Sequence, residues 1–300
     1  MTSNSEFHSP EPIWHEHVEE VDHLPVYIAS PGRDLACAQG CQHCIDGVTI
    51  SAHWHENLEF LWLREGNLTA IVQADTYELE PGDLLVINSG ELHMTRFSGP
   101  HSHCPYVLIQ LSHQRLMDYF PGKDGLRFCT LLRREEIEGN SALHRSLAAM
   151  QQLFEGNEDG YQLLFQARFC EFLHALYKGY STTAIRRAEN ATTRDLNRVM
   201  DTVAWVQGHF REQLSLEDAA EHLNISKEYF CRIFKKYTGQ TFLDYLCMIR
   251  TTRLYEQLQS SDLSIPELME QNGLTNYKTF LRTFRCLYGT TPQKVRRNPR

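Results

Sequence analysis

The sequence predicts a multi-domain α and β protein. An antiparallel β-sandwich or barrel comes first, then a helical hairpin, then an all-α C-terminal half built from two helix-turn-helix units. Three observations carry that prediction. Between Gly47 and Leu111, alternating stretches and short apolar runs are broken by Gly, Pro and Asn. Past Asn140 the apolar period becomes helical. Finally, residues 226–241, SKEYFCRIFKKYTGQT, align with residues 276–291, NYKTFLRTFRCLYGTT, at an offset of 50.

Residues 1–19 are polar and read as a disordered arm. They carry neither the basic start nor the apolar core of a signal peptide. No apolar run approaches the ~18 residues of a membrane span, so a cytoplasmic chain without a membrane partner is expected. LTAIVQA, GDLLVINSG and YVLIQL read as strands between tight turns. Leu143, Leu147, Met150 and Phe154 then share one helix face. GNEDG (156–160) turns the chain, and Leu164, Phe165, Phe169, Phe172, Leu173 and Leu176 form a second stripe. That hairpin, within 116–180, is either core or the surface of a homodimer. The polar stretch KGYSTTAIRRAENATTRD (178–195) suits a linker, placed at 181–195, with the last domain at 196–300.

The net charge is −9, but it is unevenly spread. Residues 190–300 hold 16 Lys and Arg against 12 Asp and Glu, a net +4, and residues 1–189 carry −13. Only the C-terminal half suits a polyanionic partner. Nine cysteines, an odd number, suit thiols or metal ligands better than structural disulfides. Cys37, Cys41, His43 and Cys44 are close enough in sequence for a zinc or redox role if their thiolates cluster; plain reduced thiols are the simpler reading. His101, His103 and Cys104 form a polar loop with no evident partner, and His15 and His17 suit a solvated arm. Trp54, Trp62 and Tyr77 suit either a pocket lining or core.

Each copy of the repeat reads as helix, turn, helix. Ser215 and Ser264 suit N-caps, with Asp218 and Glu267 completing capping boxes. Leu216, Ala219, Ala220 and Leu223 face inward on the first helix. Ser226 suits the cap of the next helix, where Phe230, Ile233, Phe234 and Tyr237 form the inner face. Glu228, Cys231, Arg232 and Lys235 occupy the outer face. The second copy buries Phe280, Phe284 and Leu287 and presents Tyr277, Lys278, Leu281, Arg282 and Arg285. Gly239 and Gly289 suit helix ends. An outward Arg can donate two hydrogen bonds to a guanine edge while Lys meets phosphate. One such helix could be a solvated basic face; two alike, capped alike, point to duplex DNA.

These residues, from LSLEDAAEHLNISKEYFCRIF to FRCLYGTTPQKVRR, resemble the double helix-turn-helix domain of the AraC/XylS transcription regulators over roughly the last 90 residues. The resemblance implies that a helix over about 241–259 joins the units and holds both recognition helices for successive major grooves. It makes Glu228, Cys231, Arg232, Tyr277, Lys278, Leu281 and Arg282 the base-facing candidates. Met269 stands where that family usually has Ala, which requires local repacking. Gly273-Leu274 replaces the usual Gly-Phe.

The N-terminal segment GVTISAHWHENLEFLWLREG (47–66) places His53, His55 and Glu59 between Gly47 and Gly66, and GDLLVINSGELH (82–93) ends on His93. The two stretches resemble the paired motifs of a cupin β-barrel (a double-stranded β-helix), here spanning 20–115, with Asn88 where cupins often have Pro and Phe97 where metal cupins often carry Asn. By that resemblance His53, His55, Glu59 and His93 would hold one divalent Zn, Ni, Mn or Fe ion, or hydrogen-bond an organic effector; His53 and His55, two apart on a strand, point to one face.

Together these readings imply a sequence-specific DNA-binding regulator, not an enzyme, controlled by a small-molecule effector in the barrel. Two other functions fit the same residues: a metal-dependent cupin oxygenase or isomerase with an appended helical domain, and a metal or redox sensor.

Overall fold

The computed structural model describes residues 18–20, 26–29, 49–98, 106–123, 125–156, 158–183, 191–258, 261–288 and 290–297. His15, His17, Cys37, Cys41, His43, Cys44, Gly47, His101, His103, Cys104 and Gly289 lie outside these residues.

Two sheets face each other in the N-terminal half. β1 (Val18–Glu20), β2 (Val26–Ala29), β4 (Leu58–Leu63), β7 (Leu84–Ile87), β9 (Tyr106–Leu111) and β11 (Leu131–Leu132) form a six-stranded sheet in the order β1-β2-β9-β4-β7-β11. β3 (Thr49–His53), β5 (Asn67–Val72), β6 (Asp75–Leu79) and β8 (His93–Ser98) form the second, in the order β3-β8-β5-β6. The strands LTAIVQA, GDLLVINSG and YVLIQL fall on β5, β7 and β9. β11 carries the sandwich past the expected boundary at 115, and β1 begins inside the expected arm.

Every residue of β4 is buried because the strand is covered on both sides. Successive side chains alternate between faces. Leu58, Phe60 and Trp62 join one core with helices, while Leu61 and Leu63 join the sandwich interior. β7 and β9 divide in the same way: Leu84, Val86, Ile109 and Leu111 face the helices, and Leu85, Ile87 and Leu108 face inward.

The helices on the outer side are α1 (His113–Tyr119), α2 (Arg134–Gly139), α3 (Ser141–Gly156) and α4 (Tyr161–Tyr180), with β10 (Leu126–Phe128) between α1 and β11. Leu143, Leu147, Met150, Phe165, Phe169, Phe172, Leu173 and Leu176 are all buried against the six-stranded sheet. Phe60 meets Phe172 edge-on, with ring centroids 5.1 Å apart. The hairpin stripe is therefore core, and that face is closed to a second copy. Leu164 leaves the stripe: it is 55% exposed, beside Leu163 at 75%.

The span read as a linker is partly ordered. β12 (Ser181–Thr183) pairs with β10, and α5 (Ala191–His209) starts before the expected end of the linker. Its polar composition concealed a strand whose backbone has a partner far away in sequence.

The C-terminal half is helical throughout. α6 (Leu216–His222) and α7 (Lys227–Thr238) form the first unit, α8 (Phe242–Leu258) joins, α9 (Ile265–Gln271) and α10 (Tyr277–Tyr288) form the second, and α11 (Pro292–Arg297) follows. Ser215 and Ser264 make full capping boxes with Asp218 and Glu267, and Ser226 accepts from Tyr229 N–H. Gly239 ends α7 at φ +70°, a left-handed turn that favours glycine. Phe230, Ile233, Phe234 and Tyr237 are buried, as are Phe280, Phe284 and Leu287. Each such side chain contributes about 1.5–3 kcal/mol of apolar transfer free energy. Met269 is buried in the second unit's core with Leu254, Leu268 and Phe280. Among the described residues, no helix is long and apolar enough to cross a membrane.

Candidate functional site

His53 closes β3 and pairs in register with His93, which opens β8. Both come from the four-stranded sheet. Glu59 comes from β4 of the opposite sheet and points inward because Leu58 and Phe60 take the helix side. His55 lies between, on the connection from β3 to β4. The His53 and His93 rings are 4.2 Å apart between centroids, His55 and His93 5.0 Å, and His53 and His55 5.7 Å. One ligand nitrogen from each imidazole lies within 4.8 Å of the other two. All four side chains are buried.

Hydrogen bonds fix how the imidazoles are presented. His93 Nδ1 donates to the Glu91 carbonyl at 2.8 Å and His55 Nδ1 to the Asn57 carbonyl at 3.0 Å. With Nδ1 spent on a carbonyl, Nε2 of each ring faces the interior, as in histidines that ligate metals. His55 Nε2 lies 3.0 Å from Glu59 Oε2, which also accepts from Gln110 Nε2 at 2.9 Å. His93 Nε2 is buried and has no hydrogen-bond partner among the described residues.

The charges follow from these contacts. Burial would raise the Glu59 carboxyl, but the His55 hydrogen bond, with histidine charge nearby, outweighs it and holds it down to about 2. Burial would lower His55, yet the Glu59 hydrogen bond and charge raise it. Burial, followed by the neighbouring His53, pushes His93 well down, so its ring is neutral. The site thus presents a fixed anion and a neutral imidazole lone pair in a water-poor space.

Residues around the site brace it. Gly90 N–H donates to the His55 carbonyl at 2.8 Å. Glu91 accepts from Asn88 N–H at 2.9 Å and from Arg127 at 2.7 Å. Glu91, Gln110 and Arg127 were absent from the sequence reading, and Asn88 stood there only as a departure from the cupin motif. Gln110 left a signal, a polar residue inside the apolar run YVLIQL; Arg127 left none. Trp62 lies away from the site, on the helix side, with Nε1 donating to the Gly82 carbonyl. Trp54 faces the C-terminal half, and Tyr77 packs on the sandwich interior.

The second candidate surface is on the helix-turn-helix units. Glu228, Cys231, Arg232 and Lys235 are exposed on one side of α7, and Tyr277, Lys278, Arg282 and Arg285 on one side of α10. Leu281 departs from expectation. It is half-buried and packs on the second unit's core, because position 281 lies at the edge of the stripe made by Phe280 and Phe284. Arg232 lies over the Tyr229 ring at 4.8 Å from its centroid, and Tyr229 donates to Asp195 on α5 at 2.7 Å. The guanidinium is thereby held at the surface.

Comparison with known proteins gives the same two parts. A helix-turn-helix domain family matches residues 219–298, and a cupin domain family matches residues 45–107. The chain is 23% identical over 251 residues to the HTH-type transcriptional regulator YdeC of Bacillus subtilis, covering 81% of this chain and 84% of that protein. It is 25% identical over 267 residues to the Msm operon regulatory protein of Streptococcus mutans, covering 86% and 90%. Against the regulatory protein PocR of Salmonella typhimurium it is 32% identical over 111 residues, covering 36% and 37%. With a cupin sandwich in front of two capped helix-turn-helix units, and regulators matched along most of their length, this chain belongs to the AraC/XylS family of DNA-binding transcription regulators.

Proposed function

We propose that this regulator holds one divalent metal ion through His53, His55, His93 and Glu59, and that occupancy of this site by the ion and a small polar effector sets DNA binding. The observation that carries the reading is the buried His93 Nε2, without a hydrogen-bond partner, on a ring clustered with two further imidazoles, one of which is hydrogen-bonded to the Glu59 carboxylate. Three imidazoles and one carboxylate suit Zn, Ni, Mn or Fe. When bound, such an ion supplies a Lewis-acidic point for an effector oxygen. The chain's own residues do the rest: Glu91 and Asn57 carbonyls set the imidazole tautomers, and Gln110 orients Glu59. The role is regulatory rather than catalytic, in keeping with relatives named as regulators along most of this chain.

On the DNA side, Arg232 and Arg282 read base edges, with Glu228, Cys231, Tyr277 and Lys278 beside them. Lys235 and Arg285 meet phosphates, and Leu281 offers a methyl edge. The active form is a homodimer whose contact includes Leu163 and Leu164, the large apolar side chains left exposed on α4.

Elemental analysis and calorimetric titration of the full chain test the pocket. Wild type should take up about one zinc or nickel per chain, and His93→Ala should lose at least tenfold in affinity. Equal uptake by both proteins would refute the site.

A further inference from the structure

The strands that carry the histidines have a second face. Along 52–55 and 92–94 side chains alternate. His53, His55 and His93 face the sandwich interior. Ala52, Trp54, Leu92 and Met94 face out, and all four are buried in one apolar core with Val199 and Val203 of α5, Phe230, Phe234 and Tyr237 of α7, and Tyr245 of α8. The wall of the pocket is therefore part of the core of the first helix-turn-helix unit. The Tyr245 hydroxyl, itself buried, donates to the Ala52 carbonyl at 3.3 Å, one residue before His53. Burial pushes the Tyr245 phenol up, which keeps it a donor.

The recognition helix of that unit ends on the same wall. A Cβ added at Gly239 would lie 2.9 Å from Ile71 Cδ1 and 3.4 Å from Met94 Sδ. The second unit is placed differently: only the end of α10, at Leu287 and Tyr288, reaches that shared core among the described residues, and its own core of Leu254, Leu258, Leu268, Met269, Phe280 and Phe284 holds no residue of the sandwich.

We propose that pocket occupancy is transmitted to the first helix-turn-helix unit alone, through Ala52, Trp54, Leu92 and Met94, with Tyr245 on the Ala52 carbonyl as the polar pin. This rests on the metal-site reading above. An ion tying His53, His55 and His93 to Glu59 links both sheets and stiffens β3 and β8, and the helices seated on their outer face share that stiffening. Arg232 and its half of the DNA site feel the effector; Arg282 and its half do not.

Hydrogen–deuterium exchange on the full chain, with zinc ion alone as the probe, tests this. In wild type, zinc should slow amide exchange over residues 227–246 about fivefold or more, the low end of ordinary site-to-site coupling, and leave residues 265–284 unchanged. Tyr245→Phe should bind zinc about as tightly as wild type by calorimetry yet lose at least about half of the slowing. Met94→Ala should do the same by opening the packed face. Zinc binding with unchanged exchange over 227–246 overturns the transmission while leaving the metal site standing. Equal slowing in both units overturns it too, as does full slowing in both Tyr245→Phe and Met94→Ala. Absence of zinc binding by wild type overturns the metal site and this inference with it.

Discussion

Asn88 and Phe128 hold each other through both ends of one amide: Phe128 N–H donates to Asn88 Oδ1 at 2.7 Å, and Asn88 Nδ2 donates to the Phe128 carbonyl at 3.1 Å. The pair is buried and locks the turn carrying Glu91 onto β10. The Glu91 carbonyl in turn sets the tautomer of His93. Asn88→Ala leaves a buried backbone N–H without its partner and should cost about 1–3 kcal/mol in urea unfolding. Zinc affinity should fall with it. Unchanged stability and affinity would mean that the turn is held by other contacts.

Arg232 and Arg282 occupy equivalent positions on α7 and α10. Arg232→Ala and Arg282→Ala should each relax specificity in a different half of the DNA site, at ~1–3 kcal/mol on the preferred sequence. The halves should lie about one helical turn, ~10 bp, apart. Binding of the full chain to a randomised duplex library, sequenced before and after selection, reads this directly. Uniform weakening on all sequences would reassign both arginines to phosphate.

Phosphate contacts from Lys235, Arg285 and their neighbours should make DNA binding steeply dependent on salt. Between 50 and 200 mM salt, affinity should drop on the order of 10³-fold or more. Fluorescence anisotropy on a labelled duplex measures the slope, and a flat titration would remove the basic face from the interface.

The capping boxes give a pH dependence with a fixed sign. The Ser215 hydroxyl and backbone N–H hold Asp218 below its ordinary range, and Ser264 does the same for Glu267. A depressed carboxyl stabilises the fold above its unfolded value, and the contribution is lost as pH falls from roughly 4–5 downward. The stability gap between wild type and the Asp218→Ala/Glu267→Ala variant should therefore be widest near pH 7 and shrink toward pH 3. A gap that grows in acid would contradict the cap geometry.

Leu147 and Leu164 lie on the same hairpin with opposite fates. Leu147→Ala should cost about 2–5 kcal/mol, because Leu147 is buried against the six-stranded sheet. Leu164→Glu should change stability by no more than about 0.5 kcal/mol but convert a sedimenting dimer to a monomer at micromolar concentration. A wild-type monomer under those conditions would remove the homodimer.

Local signals made the C-terminal half legible. Serine caps, a 3.6-residue period and a repeated aromatic stripe each act within a few residues, so Ser215, Phe230 and Gly239 could be placed from sequence. The histidine cluster was legible because His53, His55 and His93 retain motif spacing, and Glu59 lies against His55. What escaped depends on contacts distant in the chain. Whether Phe169 and Phe172 meet a sheet or a second copy is decided by Phe60, roughly a hundred residues earlier. Ser181–Thr183 looked like linker because its partner strand, 126–128, supplies backbone hydrogen bonds and no side-chain pattern. Leu281 sits at the border of an apolar stripe, where periodicity assigns sides least well.

The apolar seat shared by Ala52, Trp54, Leu92 and Met94 limits how freely the two halves can be recombined. A foreign ligand-binding domain fused ahead of α5 would have to present a small side chain, an indole and a thioether at matching places, and leave clearance for the turn at Gly239. Without them, Phe230, Phe234 and Tyr245 would be left partly uncovered, and the hybrid would bind DNA poorly or clump whatever its new ligand. Regulators that exchange sensors by shuffling must therefore carry a compatible outer sheet face along with the pocket, and that face, more than the linker, marks where one module ends.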